Sequence, residues 1–217
     1  MKYSSMKIVS VVGLLMVLVY GTNAQSFCGH IKYRYTYYQT KDKKDVTSKV
    51  DDFKTEDFYI CGNNFKVMFD GELKDIYIGD SVTYFQVGPD STIRYVKADS
   101  TYGQVDPSFT NPKTNVAYKE KRYSSMESND DFEHTTYYFT DEVKVDTALY
   151  RDLKLYHWNT FFKNTNGGLR QIIINVNKDI TAIGEAVEVN RVSIPDRDFA
   201  PPKGYKIIPY TSFEILN

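Results

Sequence analysis

From His30 to Tyr37 the chain alternates without a break. Ile31, Tyr33, Tyr35 and Tyr37 are apolar or aromatic, and His30, Lys32, Arg34 and Thr36 between them are polar. Successive side chains of an extended chain point to opposite faces, so this run predicts a strand with one buried and one wet face. The same period returns in Phe65–Phe69, and Asp70-Gly71 behind it is a hairpin turn signal. Ile76–Ile78, Val82–Val87 and Ile93–Val96 follow, with Gly79-Asp80 and Gly88-Pro89-Asp90 as turns between them. Further on come Thr135–Phe139, Leu169–Val176 and Ala182–Ile194. Segments rich in Tyr, Val, Ile and Phe, cut by turns at short intervals, predict a mostly antiparallel sheet.

Two segments break the rhythm. Residues 99–133 are rich in Ser, Asn and Asp and carry two prolines; they read as loop with a strand near Val116–Tyr123. Asp146–Lys163 reads as the one main helix. Asp146 caps it, Leu149, Leu153 and Tyr156 recur at helical spacing, and Gly167-Gly168 ends it. Its last residues, Tyr156-His157-Trp158-Asn159-Thr160-Phe161-Phe162, hold the only tryptophan. There is no internal repeat and no low-complexity tract, and the class is mostly β with a helical component.

The start of the chain has its own pattern. Lys2 and Lys7 precede a short uncharged apolar run, Ile8–Tyr20, and Thr22-Asn23-Ala24 places small residues before Gln25. This predicts a secretory leader over residues 1–24, too short for a comfortable bilayer span, followed by one domain over 25–217. Export means an oxidising compartment, in which Cys28 and Cys61 can pair. Phe27 before Cys28 is not the small residue that lipoprotein signals carry, so lipidation is not expected there. With a net charge of −1 and no basic stripe, nucleic acid is not an expected partner. No stable membrane span is expected once the leader is removed.

Chemistry-bearing motifs are weak. Gly79-Asp80-Ser81-Val82 resembles the nucleophile block of GDSL-type esterases, but the last histidine is His157 and no base stands near the C-terminus. A serine without a base is a poor nucleophile, and the block reads as a hairpin turn. His30, His134 and His157 lie on different elements, and no His-x-x-x-His or Cys-x-x-Cys spacing marks a metal site. Adjacent acids such as Asp51-Asp52, Asp130-Asp131 and Asp141-Glu142 mark solvated turns, and no glycine-rich phosphate loop is present. None of these patterns points to a cofactor, a metal or a catalytic residue.

The 19 tyrosines are the unusual feature of the composition. On strands they either form a half-buried packing face or line a concave sheet that receives an apolar ligand. Both readings stay open.

The run Ile194–Tyr205 ("IPDRDFAPPKGY"), with Gly29–Tyr33 and Thr136–Phe139, resembles exported β-rich proteins of Gram-negative bacteria. These are related to the lipoprotein-carrier (LolA/LolB-like) superfamily and to GLPGLI-type proteins. The resemblance implies a strongly curved antiparallel sheet, an incomplete barrel, with helical structure closing over its concave face. Better-known members hold acyl chains there. Gly167-Gly168-Leu169 stands where a longer glycine-leucine-proline motif would be, and no catalytic residue carries over.

On that frame the first expectation is a non-enzymatic binding protein, periplasmic, outer-membrane-associated or extracellular, holding an apolar small molecule or acyl chain. Tyr33, Tyr35, Tyr37, Phe65 and Phe69 would line the hollow. Leu149, Leu153 and Tyr156 would face inward from the helix, with Trp158, Phe161 and Phe162 as a lid and His157 at the surface or rim. The alternatives are an envelope interaction module with a filled core, docking another envelope protein, and an unrecognised hydrolase.

Overall fold

The computed structural model describes residues 26–88, 91–99, 107–130 and 133–210; the expected leader and its cleavage site lie outside them. Among the described residues thirteen strands join one sheet. Strands β1 (Gly29–Gln39), β2 (Thr55–Cys61), β3 (Asn64–Phe69), β4 (Glu72–Ile78), β5 (Thr83–Val87) and β6 (Thr92–Lys97) form a meander. A second run comprises β7 (Ser108–Phe109), β8 (Lys113–Tyr118), β9 (Lys121–Asn129), β10 (His134–Lys144), β11 (Gly168–Val176) and β12 (Ile180–Arg191). β12 returns to pair with β1, so the chain's first and penultimate strands join the two runs. β13 (Lys206–Pro209) adds to β6 in parallel, the exception in an otherwise antiparallel sheet.

Local chemistry explains the turns. Asp70 and Gly71 both take positive φ, 48° and 84°, as a two-residue turn matching the twist of its strands requires. Gly79–Ser81 form a 3-10 turn between β4 and β5, in which the Ser81 hydroxyl donates to the Ile78 carbonyl. The esterase-like block is therefore a turn, as its missing base suggested.

The sheet is strongly curved and does not close among the described residues. Phe109 on β7 and Tyr84 on β5 line the same hollow, yet nine strand-to-strand steps separate them. At about 4.8 Å per step a flat sheet would hold those strands roughly 43 Å apart. The concave face carries the core: Ile31, Tyr33, Tyr35 and Tyr37 of β1 are all buried, with Phe58, Ile60, Phe65, Val67 and Tyr77 beside them.

Three expectations change. The strand expected near 116–123 is a hairpin, β8 and β9, turning at Lys119-Glu120. His30, on the wet face of β1, is not simply solvated: it stacks on Tyr59 and lies 2.7 Å from Asp57. The helix expected over 146–163 is confined to α1 (Trp158–Asn164), preceded by 3-10 turns at Thr147–Tyr150 and Leu155–His157. Asp146 does cap the first turn, accepting from the Ala148 amide at 2.9 Å. Beyond it the amides of Lys154 and Leu155 both donate to the Ala98 carbonyl, which takes them out of a helical ladder. Leu149 is consequently 39% exposed rather than inward-facing.

Gly167 terminates α1 at φ 79°, where a Cβ would sit 2.1 Å from the Val145 carbonyl oxygen. Cys28, just before β1, is bonded to Cys61 at the end of β2, and no cysteine is free. Among the described residues no helix is long and apolar enough to cross a membrane. That absence and the disulfide are compatible with an exported protein.

Candidate functional site

The hollow of the curved sheet contains a cavity of about 350 Å³, within the size range of small-molecule pockets. Its walls are aromatic. Tyr35 comes from β1, Phe53 from the segment before β2, Phe69 from β3, Tyr84 from β5, Phe109 from β7 and Tyr137 from β10. Tyr156, Trp158 and Phe161 cover them from the 3-10 turn and α1.

The residues expected to bind a ligand divide between this cavity and the core behind it. Tyr35, Phe69, Trp158 and Phe161 line the cavity. Tyr33, Tyr37, Phe65, Leu153 and Phe162 are buried in the surrounding core. Trp158 is the junction between sheet and helix. It stacks parallel to Phe58 at 6.1 Å, lies 5.4 Å from Phe65, and packs on Phe161 and Phe162. The Arg170 guanidinium lies over both the Trp158 ring, at 5.6 Å, and the Tyr33 ring, at 5.3 Å. Tyr156 belongs to the rim, 45% exposed, and not to an inward helical stripe. His157, expected at the surface, is only 9% exposed. Both residues take positive φ, 53° and 56°, which breaks the helical spacing at this point.

The polar floor was not anticipated. Glu56 of β2, 2% exposed, accepts from Arg170 Nη2 of β11 at Oε1 and from the Tyr35 hydroxyl at Oε2, 2.8 Å away. The Tyr33 hydroxyl donates to the Arg170 carbonyl at 2.7 Å. Asp75 of β4 is the second acid in the lining, with the Tyr84 hydroxyl beside it. Burial pushes the Asp75 carboxyl up to about 7; the Tyr84 hydroxyl and the Lys74 charge pull it back, and the Glu56 charge adds to the rise. Burial also raises Tyr35 and Tyr84 well above the usual phenol range, so both act as neutral hydroxyls. Asp75 Oδ1 and Arg170 Nε are buried with no hydrogen-bond partner among the described residues.

Two β-bulges aim these groups. Val67 faces Asp75 and Met68 faces Leu73, which leaves Lys74 as the extra residue beside Asp75. Tyr138 faces Ile172 and Phe139 faces Arg170, which leaves Gln171 as the extra residue beside Arg170. A bulge switches the face on which following side chains emerge, and here each brings a polar group into the hollow.

This arrangement constrains the chemistry. Glu56 has each oxygen already engaged, by Arg170 and by Tyr35. Of these two acids, Asp75 is the one with an oxygen that has no hydrogen-bond partner among the described residues. No group of three or more His, Cys, Asp or Glu that could hold a metal ion occurs among the described residues.

No protein-family model matches the chain, and no curated protein matches it significantly. Among solved structures it is similar to PNGF-II in two crystal forms. In the C2 form the identity is 10% and the TM-score 0.48, with 83% of this chain and 31% of that chain covered. In the P21 form the identity is 10% and the TM-score 0.46, with 84% and 32% covered. The chain thus spans about a third of the length of the structures it matches.

Proposed function

We propose that this is an exported, non-enzymatic binding protein that holds a small molecule with an apolar body in the hollow of its curved sheet. One observation carries the reading: an aromatic-walled cavity of about 350 Å³ on the concave face, with unsatisfied polar atoms in its lining. A concave, mostly apolar hollow with a few convergent polar groups is the usual form of a small-molecule site. The leader-like start and the Cys28–Cys61 bond support export to an oxidising compartment, the periplasm, outer membrane or exterior.

Native mass spectrometry of freshly purified protein tests the reading. The expected result is a small-molecule adduct on a chain that begins at Gln25, retained under gentle conditions and lost on denaturation. Absence of any adduct, together with a Trp158 emission spectrum unmoved by apolar probes, would overturn the reading in favour of a filled interaction module.

A further inference from the structure

We propose that the hollow selects a ligand bearing a cationic amine on an apolar body, with the ammonium seated against the Asp75 carboxyl beside the rings of Tyr84 and Tyr156. This deepens the reading of the hollow as a ligand site and rests on it.

Of the charged groups that face Asp75, Glu56 is an acid, and Arg170 on β11 is committed to Glu56. Lys74, its bulged neighbour on β4, bonds Glu72 at 3.0 Å. The groups from β5 and from the 3-10 turn at Leu155–His157 are the phenols of Tyr84 and Tyr156, which bring no positive charge. Arg94 of β6 shares this face through Gln86, two strands away. Asp75 makes no salt bridge among the described residues, and the positive charge that lowers its carboxyl is Lys74, already bonded to Glu72.

The bulge at Lys74 turns Asp75 into the lining, and one carboxyl oxygen lacks a partner. Rotation about the soft, two-fold χ2 exchanges the two oxygens, so either can meet a ligand. Tyr84 and Tyr156 meet edge to face at 5.6 Å, the second wall of such a seat. Aromatic faces attract ammonium groups, most strongly where water is excluded.

Three head groups could enter. An alcohol would satisfy the hydrogen bond and leave the charge uncompensated. A carboxylate would meet a like charge. An ammonium supplies both the donors and the missing counter-charge. It also favours the ionised carboxyl, so binding displaces a proton wherever Asp75 is otherwise protonated. Affinity should therefore rise with pH up to about 7 and then level off.

The test uses one chain length with three heads. Decylammonium, decanol and decanoate are titrated against the purified protein at pH 5 and pH 8, below their micelle thresholds, following Trp158 fluorescence. Decylammonium should bind at least tenfold more tightly than either other probe at pH 8, and at least tenfold more tightly at pH 8 than at pH 5. Asp75→Asn should abolish both differences. If decanol or decanoate binds as well as decylammonium, the amine proposal falls and the hollow remains a ligand site. If none of the three binds, the ligand-site reading falls with it. The ranking in the unsubstituted protein decides the matter even where Asp75→Asn fails to fold.

Discussion

Glu56 and Arg170 form a buried ion pair whose value shows only when it is broken. Removing one partner strands a charge away from water, which costs about 3–5 kcal/mol, whereas replacing both with apolar residues of similar volume is often close to neutral. Arg170→Met alone should therefore lower stability by about 3–5 kcal/mol. Glu56→Leu with Arg170→Met should lower it by much less than the two single changes summed. A double-mutant cycle by urea denaturation measures this, and additive effects would mean that the pair is not coupled. Asp75 has the opposite character. Its carboxyl titrates near 7 when folded and near 4 when unfolded, so between those values the folded state holds a proton that the unfolded chain has lost. The Asp75 contribution to stability therefore falls as pH rises from about 4 to about 7 and stays level above. Asp75→Asn removes that loss. The variant should gain about 1–3 kcal/mol relative to the unsubstituted protein between pH 5 and pH 8. Parallel stability curves for the two proteins over that range would be evidence that Asp75 titrates normally.

The segment from Asp146 to α1 shows how one element divides between core and surface. Leu153 is completely buried, whereas Leu149 projects to solvent from the first 3-10 turn. Leu153→Ala should cost about 2–5 kcal/mol and Leu149→Ala less than about 1 kcal/mol. A continuous helix would have made both costly, so thermal melts of the two variants separate the geometries. The strands were legible in the sequence because a half-buried strand writes its own period: β1 alternates in burial as it alternates in composition. The helix was over-read because nothing local reveals that the Ala98 carbonyl will capture two of its amides. The polar floor was missed for a related reason. In Thr55–Cys61, Glu56 shares parity with Phe58 and Ile60, a signal that an acid points inward, but only once the segment is recognised as a strand. Asp75 shares parity with Tyr77 in the same way. For Arg170 no such signal exists, because the bulge at Gln171 changes the parity and bulges depend on the partner strand. Aromatic walls could be read from composition; the polar groups set among them required the register.

At the scale of the whole molecule, β1 joins two runs of strands that would otherwise be separate curved ribbons. It pairs with β2 on one side and β12 on the other. The Cys28–Cys61 bond fastens this junction at the end of the sheet where β1 begins. Neither cysteine lines the cavity, and the core cluster continues unbroken from Tyr33 on β1 to Phe162 on α1 without them. The bond should therefore stabilise the fold without shaping the site. It spans a sequence separation of 33, and closing a loop of about that length is worth roughly 3 kcal/mol in the chain-entropy account. Cys28→Ser with Cys61→Ser should lower stability by about that amount and leave binding of any hollow-directed probe within twofold. The two runs share one core, so unfolding should remain a single step. Trp158 fluorescence, which reports on the contact between α1 and the sheet, should lose its signal at the same urea concentration as far-UV circular dichroism. An earlier fluorescence transition in the serine variant would mean that the hollow opens before the sheet does. The disulfide would then be holding the binding site together, and not merely the chain.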